Sequence, residues 1–252
     1  MDESAKHPVA TTTRTLDIIQ ALKDLDGGGV TDIADRVGFS KSAVHNHLST
    51  LREYNYVVKH GEEYELGLKF LEIGGYRRNQ MAIFKSGKAE VDRLARETAE
   101  LANIMVEENG MGVYLYRSFG EKAVDLNSYA GTRAYLHNQA LGKAILAHLG
   151  PERVDAIIES RGMPESTENT ITNRDDLHAD LELIREQGYA VDNEELTRGL
   201  MCIAAPIQGE DGVLGAISIS APKSRMSDDE YKERIQSKVM DTANVIELQI
   251  RY

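Results

Sequence analysis

The stretch Thr31-Asp-Ile-Ala-Asp-Arg-Val-Gly-Phe-Ser-Lys-Ser-Ala-Val-His-Asn-His-Leu-Ser-Thr-Leu51 decides the fold. It holds two short amphipathic patterns broken at Gly38-Phe39. Ile33, Ala34 and Val37 form one apolar stripe, and Val44, Leu48 and Leu51 form the other. Ser40 precedes the second pattern, and a serine hydroxyl suits a helix N-cap. So few residues separate the stripes that only a sharp turn fits, which is the helix-turn-helix layout. Downstream, Tyr56-Val-Val58 and Tyr64-Glu-Leu66 flank Gly61 and read as two strands joined by a turn, the wing of a winged helix. A helix followed by a small hairpin supplies a probe for the major groove and a second contact on the backbone. The segment points to DNA.

Working outward, Leu16, Ile19 and Leu22 lie at helical spacing, so Thr11 to about Leu25 reads as a first helix ended by Asp26-Gly-Gly-Gly29. Residues 1–10 read as lacking regular structure. Gly67 to Gly75 opens a connector helix, and Ile83 to about Leu101 is a long helix with Arg93, Arg96, Glu97 and Glu100 expected at its surface. From Ala102 the pattern changes. Asn103–Val106, Gly112–Tyr116 and Ala123–Leu126 are successive strand candidates. Helices are expected over Ala140–Leu149, Val154–Glu159, Asp176–Gln187 and Asp228–Arg251. Cys202–Ile207 and Leu214–Ser220 read as strands joined at Glu210-Asp-Gly212. Strands, then helices, then strands again predict an α+β chain with an antiparallel sheet and packed helices.

With 252 residues, 41% of them hydrophobic, the chain can fill a core in each of two domains. It has no run of 18 apolar residues, so no membrane span is expected. The acidic Met1-Asp-Glu-Ser start lacks the apolar stretch of a secretory signal, which predicts a cytoplasmic protein. The single cysteine, Cys202, excludes an internal disulfide and a zinc site built from several thiolates. Charge runs against the DNA reading. The net charge is −12, and residues 1–75 carry 8 Lys and Arg against 12 Asp and Glu. Phosphate binding normally runs on counterion release by basic side chains. Here Arg14, Lys41, Arg52 and Lys59 flank the motif and form the local basic set. An acidic surface also keeps a protein soluble in a salt-rich cytoplasm.

The chain resembles the IclR family of transcriptional regulators over nearly its full length. The matching stretches are Thr12–Ile18, Ser40-Lys-Ser-Ala-Val-His45, Tyr64-Glu-Leu-Gly67, Ala140-Leu-Gly-Lys-Ala144, Ile184–Tyr189, Asp192-Asn-Glu-Glu195, Gly199–Pro206 and Ala216–Ser220. Their order and spacing carry the match. The resemblance implies a winged helix (9–70), a linker helix (71–82) and a GAF-like effector domain (83–252) that binds a small metabolite, usually an organic or aromatic acid. It also implies dimers or tetramers on palindromic operators. The chain departs from the family where Thr and His-Arg are common in the recognition helix, having Ala43 and His45-Asn46. Its wing tip, Gly61-Glu62-Glu63, is acidic, and His137-Asn138-Gln139 precede the Gly142-Lys143 pair.

With Val44, Leu48 and Leu51 turned to the core, Lys41, Ser42, His45, Asn46 and Ser49 face outward as candidate DNA contacts, with Arg14 and Lys59 beside them. Asparagine can read adenine edges but cannot neutralise a phosphate. His45 and His47, two residues apart on a helix, point to different faces, so no metal pair is expected. Gly142-Lys143 is not a phosphate loop, because His137 and Ala144 stand where Gly and Ser or Thr are required. No cofactor is expected.

A lone buried cysteine is usually a small hydrophobe, but the resemblance places Cys202 in the effector pocket. Ser218 and Ser220 alternate with Ile217 and Ile219, so their hydroxyls share one strand face. A pocket needs a few such polar groups against an apolar wall. Asp192 is a candidate acceptor for a ligand hydroxyl. The Gly131–Gln139 loop is expected to act as a lid, and the start of the helix at Ala140 and Gly142 to favour a carboxylate. The competing reading is an enzyme with Cys202 as nucleophile and His137 or Asp192 as partner, which needs an adjacent base and a lowered thiol pKa. A redox sensor acting through Cys202 is the third.

Overall fold

A computed structural model describes residues 7–126 and 128–252. Contacts divide the chain between Arg77 and Arg78 into two compact units. The expectation for residues 1–10 lies, over residues 1–6, outside the described residues.

In the first unit, α1 (Ala10–Asp24) is followed by β1 (Gly28–Gly29), α2 (Val30–Val37), α3 (Lys41–Glu53), β2 (Val57–His60), β3 (Glu63–Leu66) and α4 (Lys69–Asn79). The chain turns between α2 and α3 at Gly38, whose φ of 72° is left-handed and suits glycine. Ser40 then caps α3, its Oγ accepting from the Ala43 amide at 3.2 Å. Ile18, Leu22, Ile33, Val44, Leu48, Val57 and Tyr64 close one small core. The sheet has order β1-β3-β2. The Gly28-Gly29 pair, expected only to end the first helix, is a third strand with Gly28 opposite Tyr64. Two glycines carry no alternation by which a strand could be recognised.

The second unit runs α5 (Ala82–Thr98), β4 (Leu101–Glu108), β5 (Met111–Phe119), β6 (Arg133–Ala134), α6 (Ala140–Leu146), α7 (Pro151–Arg161), α8 (Arg174–Gln187), β7 (Ala190–Asn193), β8 (Leu200–Gly209), β9 (Gly212–Pro222), α9 (Lys223–Met226) and α10 (Asp229–Arg251). Its antiparallel sheet has order β6-β5-β4-β9-β8-β7. Strand alternation gives the sheet two different faces. On one, Ile104, Ile203, Ile217 and Ile219 pack under Val91 and Leu94 of α5 and Ile235 and Val239 of α10. On the other, the small side chains of Ala190, Ala204 and Ala216 let α6 and α8 lie close, through Ala144, Leu181 and Ile184. Removing a buried leucine such as Leu181 from that layer costs about 2–5 kcal/mol.

Two expectations are corrected. Ala123–Leu126 is not a strand. The Gly120 and Lys122 amides turn back to the Glu100 and Ala99 carbonyls, and the Leu126 carbonyl accepts from Arg117, so no ladder forms. The strand that pairs with β5 there is β6. Secondly, α5 stops at Thr98 with Ala99 left-handed (φ 62°), so Leu101 belongs to β4. Glu100 is fully buried, not at the surface, because the Arg225 guanidinium takes both its oxygens at 2.6 Å and the Tyr231 hydroxyl donates to it at 2.7 Å. Asp192 itself lies in β7, opposite Cys202.

Candidate functional site

The exposed side of α3 carries Lys41, Ser42, His45, Asn46 and Ser49, each open to solvent, while Val44, Leu48 and Leu51 are buried behind them. Arg14 of α1 is brought to the same corner, its guanidinium 5.6 Å from the Phe39 ring in the turn before α3. The His47 ring faces α1 and pairs with the Thr15 hydroxyl at 2.9 Å, so the two histidines diverge. Lys59 is half-buried on β2, its ammonium 3.4 Å from Glu62 and 5.3 Å from the Tyr64 ring centre. The acidic wing tip therefore takes up part of that charge.

In the second unit, one narrow cleft with a free volume of about 30 Å³ collects the predicted effector residues Asp192, Cys202, Ser218, Ser220 and Ala140. That is room for one or two water molecules, so a metabolite must widen it. Three strands build the polar floor. Asp192 of β7 stands opposite Cys202 of β8, and Cys202 opposite Ser220 of β9. The Cys202 thiol donates to Ser220 Oγ at 3.2 Å. Tyr114, Leu126, Leu141, Leu196 and Leu200 supply most of the wall. Tyr114 donates to Gln139 Oε1 at 2.8 Å, and Gln139 Nε2 donates to the Tyr135 carbonyl at 2.6 Å.

Burial, reinforced by the neighbouring Glu195 carboxylate, pushes Asp192 up to about 7. The Glu195 amide, donating to Asp192 Oδ1 at 2.7 Å, opposes that shift only in part. Burial and Asp192 likewise push the Cys202 thiol far up. Behind the cleft, Lys143 is almost wholly buried and bonds Glu195 at 2.6 Å and Asp180 at 2.9 Å. Burial works against its charge, but the two carboxylates outweigh it and raise its pKa. This clamp fixes the Glu195 segment that leads into Leu196 and Thr197 at the cleft. Thr167 and Thr170 hold the same segment, each hydroxyl donating to the Glu195 carbonyl.

Gly142 is not at the cleft. Its α-carbon abuts the chain at Leu136, where an added Cβ would lie 2.1 Å from the Leu136 carbonyl oxygen, so the glycine serves packing. The Gly131–Gln139 loop is not free to act as a lid along its length. Leu136, His137 and Asn138 are buried, with His137 bonded to the Pro164 carbonyl at 3.1 Å and Asn138 to Ser166 at 3.0 Å. Cys202 is not set up as a nucleophile: its thiol donates to Ser220, burial and the neighbouring Asp192 raise its pKa where activation needs it lowered, and His137 is bonded to the Pro164 carbonyl. Tyr114, Gln139, Asn103 and the Lys143–Glu195 pair went unforeseen. Asn103 sits among apolar strand residues, and that single polar break in Asn103-Ile-Met-Val106 was the available signal.

A family model for the IclR helix-turn-helix domain matches residues 11–61, and one for the C-terminal part of bacterial IclR regulators matches residues 78–248. The chain belongs to the IclR family of transcriptional regulators. It is 32% identical to a probable HTH-type transcriptional regulator, ArcR, of Halobacterium salinarum, over 96% of this chain and 94% of that protein. It is also similar to the Thermotoga maritima IclR crystal structure, with 27% identity, a TM-score of 0.81, and 96% and 99% of the two chains covered. The fold is shared with an IclR homologue from Microbacterium hydrocarbonoxydans crystallised with 4-hydroxybenzoate, at 20% identity and a TM-score of 0.81, covering 94% and 99% of the chains. The chain is thus a DNA-binding IclR regulator with an effector-binding C-terminal domain, and not an enzyme. No helix among the described residues is long and apolar enough to cross a membrane.

Proposed function

We propose that this IclR regulator reads a palindromic operator through α3 and releases or holds it according to a small organic acid bound in the cleft. Residues 9–70 act as the DNA reader, 71–82 as the linker helix and 83–252 as the sensor. Lys41, Ser42, His45, Asn46 and Ser49 contact DNA, with Arg14 and Lys59 on the flanking backbone. Asp192, Cys202, Ser218, Ser220 and Ala140 receive the effector. The observation that carries this reading is the convergence of Asp192, Cys202, Ser218 and Ser220 on one cleft with an otherwise apolar wall. A few oriented polar groups in an apolar hollow suit a small hydroxy or keto acid, and the homologue holding 4-hydroxybenzoate agrees with that class. The genes it controls belong to a catabolic pathway, and it works in the cytoplasm.

One winged helix reads too short a half-site for useful specificity, so the active form is a homodimer or tetramer. In support, α4 buries none of its residues and leaves the apolar side chains of Leu71 (66%), Ile73 (46%) and Tyr76 (69%) exposed around it, surface that a second copy would cover. The test is capture of genomic fragments by the purified protein, followed by binding titrations with organic acids. An acid that changes the affinity of wild type but not of Ser220→Ala supports the reading. Operator binding by a monomer at full affinity would remove the oligomer part of it.

A further inference from the structure

The cleft face of the sheet carries a second polar row beside the Asp192–Cys202–Ser220 row. Register places Arg117 of β5 opposite Asn103 of β4, and Asn103 opposite Ser218 of β9. Directly opposed residues share one face of a sheet, so Arg117 lies on the cleft's face of the sheet, next to the residues that line it and not among them. The side chains join up. Arg117 Nε donates to Asn103 Oδ1 at 3.1 Å, and Asn103 Nδ2 lies 3.2 Å from Ser218 Oγ and 3.3 Å from Ser220 Oγ. The Arg117 guanidinium stands 5.8 Å from the ring centre of Tyr114, which lines the cleft, and donates to the carbonyls of Leu126 and Ser128.

Every one of those acceptors is uncharged. Lys143 and Arg225, two cations held in polar networks of the same unit, each bond a carboxylate directly. A half-buried guanidinium satisfied by an amide oxygen and two carbonyls retains a strong preference for an anion, because charge-assisted bidentate pairs are about twice as strong as neutral ones. Asp125 acts on Arg117 through charge but is not among its hydrogen-bond partners.

We propose that Arg117 receives the effector's carboxylate, so that the effector lies across the sheet with its acid end over β4 and β5 and its hydroxyl or keto end at Asp192 and Cys202. This rests on the reading of the cleft as the effector site. It sets a length. Arg117 reaches back to Asn103 on β4, two strands from Cys202, and neighbouring strands lie about 4.8 Å apart, so the two ends are separated by roughly 10 Å. An acid of two or three carbons cannot touch both. The class is an elongated hydroxy or oxo acid of about six carbons or one aromatic ring. The seven-residue α6 is then a wall of the site and not its anion receptor.

The test compares acids with their neutral amides on the full chain by calorimetry and thermal shift. The pairs are 4-hydroxybenzoate with 4-hydroxybenzamide, gluconate with gluconamide, and lactate with lactamide as the short control. At least one long acid should bind wild type tenfold or more tightly than its amide. Arg117→Gln should bring that acid down to the level of the amide, Arg117→Lys should keep part of the difference, and the lactate pair should not respond to position 117. An acid preference that survives Arg117→Gln, or the lack of one in wild type, overturns the proposal. If the amides still bind and Asp192→Asn weakens them, the cleft stands as the effector site without Arg117. If no probe binds wild type, or if binding ignores both positions, the cleft reading falls as well. Should Arg117→Gln not fold, Arg117→Lys decides, because a retained charge must retain part of the acid preference.

Discussion

The DNA-reading helix and the effector cleft solve opposite problems with polar side chains. On α3 the polar groups stand in water on one face of a helix whose other face is buried, and each depends only on its own helix. Asp192, Cys202 and Ser220 in the cleft, and Asn103 and Arg117 beside it, come from five strands, and each is aimed by its neighbour's register. In the cleft, burial lifts Asp192 to about 7 and drives the Cys202 thiol upward. A reader can therefore be altered one residue at a time, whereas a sensor responds as a unit.

That contrast is sharpened first on α3. Replacing both His45 and Asn46 by alanine should cost about 2–6 kcal/mol of operator affinity if each reads a base, with little loss on random DNA. Competition titrations with and without the operator measure it. Intact operator affinity would break the assignment of α3.

The next effect belongs to the cleft and its sign follows from Asp192. A carboxyl whose pKa rises on folding binds more protons in the native state, so its contribution falls as pH rises from about 4 to about 7. At about 1.4 kcal/mol per unit, Asp192 costs wild type on the order of 4 kcal/mol above pH 7. Asp192→Asn keeps an acceptor for the Glu195 amide, so its stability relative to wild type should climb over that window and then level off. Denaturant titrations at pH 5 and pH 8 show this directly. A difference that is flat with pH would mean that Asp192 is not protonated in the native cleft.

The smallest effect returns to the reader. Lys41→Ala should weaken binding to all sequences alike and lower the slope of log K against log salt by about 0.9. With Lys59 held at Glu62 and Arg36 held at Asp24, the wild-type slope should itself be shallow. Glu62→Lys should steepen it. A steep wild-type slope would show that the acidic wing does not govern the phosphate contact.

The same contrast explains what could be read in advance. The helices of the first unit were legible because their stripes, such as Val44, Leu48 and Leu51, repeat within a few residues. Ser218 and Ser220 were legible because strand alternation is equally local. Asn103 and Arg117 were not, since their meaning arises only when β4 sits between β5 and β9, more than a hundred residues apart in the chain. Glu100 looked like a surface charge because its partner, Arg225, is 125 positions away. Ala123–Leu126 misled for the opposite reason: it has the apolar pattern of a strand, but its Ala123 amide is spent on the Gly120 carbonyl and its Leu126 carbonyl on Ser128 and Arg117.

The central claim is that occupancy of the cleft sets operator affinity, and one titration tests it most directly. Affinity for a captured genomic fragment is measured for wild type, Ser220→Ala and Asp192→Ala, each with and without 4-hydroxybenzoate, gluconate and related hydroxy or keto acids. One such acid should shift wild-type affinity by about 5–150-fold, the range of typical coupling between sites, while both variants bind the fragment as wild type does and ignore the acid. An acid that shifts all three proteins equally would contradict the account.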